Sequence, residues 1–396
     1  MNNQSNIKWW SAIGKISERE LRSFAKRPIF LVCMILAPLF FLVLFTSMMN
    51  SGLPTKLPAA LVDEDNTTVT RSMVRILGSM QETEIVARYD NFTQARQAMQ
   101  RGEIYAIFRI PKGTTEAALT SRQPCIAFYT NDSYYVAASL LMKDMRKMSE
   151  MAGIAITRET LRAKGVSEGA IMPILQPIVV ESHPLGNPYL NYSVVLSNLI
   201  VPGILMLVIL LTTSYALGNE WKRGRQGKLL RMAGGNTWVA VVGKLLPQTM
   251  LYTLLFWFIQ AVFYMYLGFP CACGMPRMML WGVLAVLASQ GLGLFFYELF
   301  VGEMRMALSA CSLWGVLSFS LAGFSFPVSA MVLPLQWMAN LFPLHHYFLL
   351  YEAQALNGYP AMYEWPSIVA LVGFVLLPVL LTGRLHDGFL NKEYVP

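Results

Sequence analysis

The chain has 396 residues, 55% of them hydrophobic and only 14% charged, with a mean hydropathy of +0.45. Soluble globular proteins carry about a quarter charged residues, so the composition excludes an ordinary soluble protein and indicates one embedded in a membrane. The net charge of +8 is unevenly placed, which makes nucleic-acid binding a poor explanation of it.

Residues 1–27 hold six basic residues (Lys8, Lys15, Arg19, Arg22, Lys26 and Arg27) against Glu18 and Glu20. Within them Trp10, Ile13, Leu21 and Phe24 recur near helical spacing, with Lys15, Glu18, Arg19 and Arg22 elsewhere. That pattern predicts an amphipathic helix over Trp9–Phe24, lying flat on the membrane before the first span. Pro28 then opens an uncharged run of 21 residues, Ile29–Met49, long enough at 1.5 Å per residue to cross about 30 Å of hydrocarbon. A cleaved signal peptide has an apolar core of about 7–15 residues soon after its basic start. This run is longer and starts late, so residues 28–49 read as an uncleaved first span.

Residues 50–190 are polar and nearly neutral, with fifteen basic and fourteen acidic residues between Asn50 and Tyr189. Ala59–Val62, Glu84–Tyr89, Ile104–Ile110 and Cys125–Tyr129 read as strands. Helices are expected over Thr67–Met80, Phe92–Arg101 with Asn91 as cap, a short stretch after Pro111-Lys112-Gly113, and Ser133–Lys164; Pro177–Glu181 reads as a returning strand. Strands alternating with helices argue a small α/β domain inserted between spans. Gly165-Val166-Ser167-Glu168-Gly169 matches the G-x-S-x-G of serine hydrolases, but that motif needs a strand-to-helix turn. Here it ends a long helix, where Gly165 suits a C-cap and Ser167 a turn.

Five further spans follow: Val194–Leu217, Leu245–Leu267, Met278–Phe300, Met306–Phe326 and Ser367–Gly383. Between the first two lies Gly218–Asn236, where Lys222, Arg223, Arg225, Lys228 and Arg231 face the single acid Glu220. Leu229, Leu230 and Met232 give that segment an apolar side, fit either for the membrane interface or for a soluble partner. Pro327–Tyr347 is apolar but broken by Pro327, Pro334 and Pro343. Irregular backbone at membrane depth must be covered by protein or water, so a re-entrant pair of short helices on the outer side is expected. Basic excess in short loops marks the cytoplasmic side. Six spans with both termini cytoplasmic put the Gly218–Asn236 loop inside and the α/β domain outside.

Cys271 and Cys273 share an external loop, where a disulfide across one residue would be strained; the five cysteines show no disulfide framework or zinc spacing. His345 and His346 are adjacent and diverge by about 100° on a helix, so they read as interface anchors rather than metal ligands. Glu298 near a span end is expected to pair with Arg305, the other reading being that it faces a transport path. Gln248, Gln260 and Gln290 read as helix-packing hydrogen bonders. No G-x-x-x-x-G-K-[ST] phosphate loop occurs, so the chain is not expected to be an enzyme or to bind a cofactor itself.

Three stretches resemble the ABC-2 type permeases, the membrane subunits of ATP-driven exporters. Gly102–Asp132, in which a strand runs into Ile110-Pro111-Lys112-Gly113, is similar to that family's external-domain signature. Glu220–Leu230 with Gly243-Lys244-Leu245-Leu246 resembles its first cytoplasmic loop, apart from Arg223-Gly224-Arg225-Gln226-Gly227, where the family more often has a Thr/Ser stretch. Phe326-Pro327 through Phe342-Pro343-Leu344-His345-His346-Tyr347 resembles its outer re-entrant segment. The resemblance implies a permease working as a homodimer or with a sibling permease in the bacterial inner membrane, driven by a separate ABC ATPase that holds the ATP. It further implies that the Trp9–Phe24 helix, through Glu18 and Arg22, and the loop, through Glu220, Trp221, Arg223, Arg225, Lys228, Leu229 and Leu230, receive that ATPase. The external domain would guide release or meet a periplasmic adaptor. The bland reading of the basic loop is that it holds anionic membrane lipid. A rival from another class is a non-transporting receptor or envelope scaffold; a secondary transporter would show paired intramembrane charges and an internal repeat, and neither is seen.

Overall fold

The computed structural model describes residues 2–25, 30, 32–50, 52–120, 122, 124–176, 183, 186–187 and 191–395. They divide into two compact units, Met1–Gly52 with Pro184–Pro396, and Leu53–His183.

In the first unit, α1 (Asn2–Ala25) precedes α2 (Val32–Met48), an apolar helix that opens with a π turn over Val32–Leu36. At 1.5 Å per residue the described part of α2 is about 26 Å long. After the inserted unit come five helices long and apolar enough to cross a membrane among the described residues. These are Tyr192–Lys222, Thr237–Tyr266, Met275–Leu299, Met304–Leu321 and the composite Ala361–Asn391.

The inserted unit is a four-stranded sheet in the order β2-β1-β3-β4. It comprises β1 (Leu57–Asp63), α3 (Thr68–Gly78), β2 (Thr83–Arg88), α4 (Phe92–Gln100), β3 (Ala106–Ile110), α5 (Thr114–Leu119), β4 (Ala127–Thr130), α6 (Tyr135–Ala163) and α7 (Glu168–Leu175). β1 pairs in parallel with β2 and β3, and β4 closes the sheet antiparallel to β3. Alternation splits the strands between two cores. Leu61, Phe108 and Ile110 meet Met73, Val74 and Leu77 of α3 and Met145 and Met148 of α6, whereas Ala60, Val62 and Ile107 meet Ala95 and Ala98 of α4. The helices start where side chains satisfy their free N–H groups: Thr67 and Thr70 form a capping box, and the Asn91 carboxamide accepts from Gln94 N. Gly165 takes φ +77 just past the end of α6, as a C-terminal glycine does. The expected strand Pro177–Glu181 lies outside the described residues.

Two carboxylates in this unit, the half-buried Asp65 and the buried Asp144, are pushed in opposite directions. Asp65 accepts from Thr115 Oγ1 (2.6 Å), Thr115 N (3.0 Å) and Gly113 N (2.7 Å), and the Thr115 hydroxyl in the first place holds its pKa below the usual carboxylate range. Asp144, 1% exposed, is raised by burial and then by the neighbouring Glu82 carboxyl, although Thr83 donates to it at 2.9 Å.

The spans of the first unit are longer than their apolar runs. α8 (Tyr192–Lys222) continues past Leu217 because its backbone ladder runs on through Glu220 and Trp221. α9 (Gln226–Met232) follows after a turn at Gly224, whose φ of +61 favours glycine. α10 (Thr237–Tyr266) starts two turns before the expected Leu245, because the Asn236 side chain accepts from Trp238 N and Val239 N. The expected loop Gly218–Asn236 is therefore mostly helical. α11 (Met275–Leu299) and α12 (Met304–Leu321) follow. The broken segment forms α13 (Leu333–Ala339) and α14 (Pro343–Tyr351), each with proline in its first turn. His345 Nδ1–H donates to Ala322 O and His346 Nε2–H to Asn340 O, both at 2.9 Å, so these buried rings brace the two short helices. α15 (Trp365–Leu376) and α16 (Thr382–Asn391) complete the chain.

Between spans, Tyr252 and Thr212 share a hydrogen bond at 2.7 Å, Thr249 donates to Gln290 at 2.8 Å, and Gln260 donates to Met278 O at 2.7 Å. Gln248 is fully buried, with no partner for either amide atom among the described residues. Glu298 departs from expectation. It is 1% exposed and neither oxygen has a partner among the described residues, whereas Arg305 begins α12 on its exposed side. The turn at Gly302 (φ +92) sends the two side chains apart. Cys271 and Cys273 are free.

The closest backbone approach is at Gly291, where an added Cβ would stand 2.2 Å from Phe374 O. Gly291→Ala must push α11 and α15 apart, and we expect a loss of about 1–3 kcal/mol in thermal unfolding of the detergent-solubilised protein. In the inserted unit the pH dependences have opposite signs. Asp65, with its pKa depressed, contributes stability at neutral pH that is lost as pH falls through that lowered value. Asp144, with its pKa raised, favours the folded state in acid and loses that contribution as pH rises. Hydrogen exchange of the β1 and β3 peptides should show Asp65→Asn destabilising by about 1–2 kcal/mol at neutral pH and by little in acid, solvent screening keeping the figure small. Asp144→Asn should stabilise at neutral pH and have no effect in acid.

Candidate functional site

At one end of the first unit, three helices bring charged side chains together in its interior. α1 lies along the start of α10, and Gly243 makes the close approach possible: a Cβ there would meet Ile16 Cβ at 3.0 Å. Ile16 is fully buried, and Ser17 Oγ donates to Gly243 O at 2.9 Å. Ile13, Ile16 and Phe24 of α1 are thus packed on its own chain, whereas Trp10 and Leu21, expected on the same apolar stripe, are exposed together with Trp9.

One residue beyond Gly243, Lys244 enters between two carboxylates. Its Nζ lies 2.9 Å from Glu20 Oε2 of α1 and 2.8 Å from Glu220 Oε1 of α8. Arg19 Nη2 closes the group at 2.7 Å from Glu20 and 3.1 Å from Glu220. Lys244 is 1% exposed, Glu20 5% and Glu220 6%. Two bases and two acids cancel, which is the condition for keeping charges out of water. Such a cluster adds little net stability, but removing one member strands the others.

The same end is tied on its far side by Trp221, whose ring packs on Tyr297 (centroids 5.3 Å apart) and Phe389 (4.7 Å) and whose Nε1–H donates to Gly388 O at 3.3 Å. Leu229 and Leu230 of α9 are buried in the same cluster, with Ile16, Leu217 and Val241. Thr237 Oγ1 and His386 Nδ1, 2.8 Å apart, join α10 to α16.

The residues expected to receive a partner therefore separate into two groups. Glu220, Trp221, Leu229 and Leu230 are buried inside the chain, so the apolar side of the segment docks on its own helices rather than on the membrane or a soluble partner. Arg223, Arg225 and Lys228 are exposed, with Lys222 and Arg231 beside them. Glu18 and Arg22 are also exposed and pair with each other at 2.5 Å across one turn of α1. Sequence reasoning missed Arg19, Glu20 and Lys244 as one site. The available signal was a lysine at the mouth of an apolar run, with an unexplained acid in each neighbouring segment.

A bundle of apolar helices of spanning length, stiffened at a basic end and carrying an inserted α/β unit, defines a polytopic membrane protein. Residues 28–384 match the family model described as ABC-2 family transporter protein, and the chain belongs to that family. No curated protein matches it. Family membership makes the chain the membrane subunit of a transporter and implies partnership with an ABC ATPase.

Lys244→Met should cost about 3–5 kcal/mol by leaving two carboxylates unpaired in the interior. The combined Glu20→Gln, Glu220→Gln, Lys244→Met variant should recover most of that loss in thermal unfolding. Equal losses in both variants would mean that the charges are not balancing one another.

Proposed function

We propose that the chain is the permease subunit of an exporter in the inner membrane, moving substrate outward under the drive of a separate ATPase subunit. In this reading α2 is the first of six spans, both termini and the basic end are cytoplasmic, and the inserted unit is extracytoplasmic. In this reading ATP binding and hydrolysis belong to the partner, which agrees with a sequence that has no phosphate-binding loop. Two such permeases work as a pair, with the path for substrate between them, and the inserted unit guides release or meets a periplasmic adaptor.

The observation that carries the reading is the build of the basic end. A drive from a soluble engine needs a stiff receiving surface connected to more than one span. The exposed cations of α9 and the Glu18–Arg22 face of α1 supply a surface, and the buried Arg19–Glu20–Glu220–Lys244 cluster joins it to α8 and α10. Nucleotide-driven closure of the ATPases would shift α1 and α9 together and tilt α8 and α10 with them.

The test is mass spectrometry of the tagged chain purified in mild detergent from its native membrane. A stoichiometric partner with a phosphate-loop ATPase sequence is expected. Lys228→Glu with Arg231→Glu should reduce its recovery roughly tenfold, as reversal of rim charges weakens complementary surfaces, while leaving the thermal unfolding of the permease unchanged. An intact complex without any ATPase would shift the reading to a receptor or scaffold that uses the inserted unit to bind a partner.

A further inference from the structure

Between α1 and the end of α8 lies a cavity of about 560 Å³ whose lining contains six basic and three acidic residues. The acids are paired: Glu18 with Arg22, and Glu20 and Glu220 with Arg19 and Lys244, although Glu220 Oε2 has no hydrogen-bond partner among the described residues. Lys15, Arg223 and Arg225 line the same cavity without an ion pair among the described residues, Arg225 being close enough to Glu220 to attract it. Asn219 also faces it, 7% exposed, and its side-chain amide makes no hydrogen bond among the described residues. A buried amide donor beside unmatched guanidinium groups suits an oxyanion that accepts several hydrogen bonds at once.

A second cavity of about 540 Å³ begins where the first ends. Phe30 lines both, and the second continues between α2, α8 and α12 past Ala37, Leu211 and Tyr215. Its lining is almost entirely apolar. Along α8 the two cavities are lined by Val208, Leu211, Thr212, Tyr215, Ala216, Asn219, Glu220 and Arg223, one face at helical spacing, with Glu220 turned to Lys244 and Arg19. From Val208 to Arg223 the face measures about 22 Å. That equals the depth of one bilayer leaflet with its headgroup, half of the roughly 40–45 Å total.

We propose that this face of α8 holds one anionic phospholipid, its phosphate bound by Asn219, Arg223 and Arg225 and an acyl chain laid in the groove beside Leu211. Free phosphate satisfies the polar half alone and leaves the groove unused. An acidic segment of a partner protein would likewise have no use for an apolar trough. The proposal rests on the chain being membrane-embedded and not on ATPase partnership, so either can fail without the other.

The experiment reconstitutes the full chain in nanodiscs of phosphatidylcholine with a minor fraction of phosphatidylglycerol and measures the lipid retained on detergent release by native mass spectrometry. The wild type should keep one phosphatidylglycerol in preference to phosphatidylcholine. Arg223→Gln with Arg225→Gln should lower that retention about thirtyfold, since each cation near the surface contributes about 1 kcal/mol. Asn219→Leu should lower it without changing charge, and Leu211→Trp should lower it by filling the groove while every cation remains. Lys228→Gln with Arg231→Gln, which removes charges outside the cavity, should retain the lipid. Equal loss in the two charge-removing pairs, with Asn219→Leu and Leu211→Trp keeping the lipid, would reduce the effect to diffuse surface charge and overturn the site. Displacement of the lipid by inorganic phosphate, with Leu211→Trp behaving as wild type, would overturn the lipid assignment in favour of a soluble anion.

Discussion

The basic end of this molecule depends on a charge balance that leaves no member free to move alone. Lys244 between Glu20 and Glu220, with Arg19 across them, joins three helices that are far apart in sequence. In a low-dielectric interior an unpaired carboxylate or ammonium costs several kcal/mol. Sliding α1 along α10 by a single turn would expose that cost at once, whereas an apolar contact would tolerate the slip. The cluster thus fixes register more than it adds stability. Gly243 and Ser17 set the spacing that makes it possible.

From that constraint the division of the basic segment follows. Trp221, Leu229 and Leu230 turn inward to fill the space around the cluster, and Trp221 carries the connection on to α11 and α16 through Tyr297, Phe389 and Gly388. Of the cations left outside, Lys228 and Arg231 are displayed on a short helix that lies between the Gly224 turn and the Asn236 cap of α10, with Arg223 and Arg225 in the turn before it. In the proposed reading, a charged surface on such a mount would transmit displacement instead of absorbing it. Arg19 and Glu20 lie before the residues matched by the family, so this chain's mount includes parts that the family match does not cover.

Much of the architecture was legible in the sequence because it rests on local rules. Strand alternation in β1 and β3, the Asn91 cap and the apolar runs each lie within a dozen residues of what decides them. Span ends were less legible, since hydropathy reports what lipid requires while helix length follows backbone hydrogen bonding. α8 runs to Lys222 and α10 starts at Thr237 for that second reason. This difference hid the site, because a Lys244 at the mouth of a span is a snorkelling residue, and a Lys244 two turns inside a helix demands partners. Those partners are 224 and 24 residues away. Glu298 failed in the converse way: its expected partner was close in sequence, but the turn at Gly302 sent Arg305 to the other side. The apolar character of Leu229 and Leu230 was plain, but not the surface they would cover.

The inserted unit constrains the rival reading as well. Its parallel strands have α3 on one face and α4 on the other, so the connections diverge between the carboxyl ends of β1 and β3. In open α/β sheets that crevice is where ligands bind. Here Asp65 already occupies it, taking the N–H groups of Gly113 and Thr115 and the Thr115 hydroxyl, with Thr67 bonded to Thr115 beside it. The chain has filled its own anion-binding corner with a side chain, and the corner serves to hold two loops together. A receptor built on this unit would have to recognise its ligand somewhere other than the position the fold offers most readily.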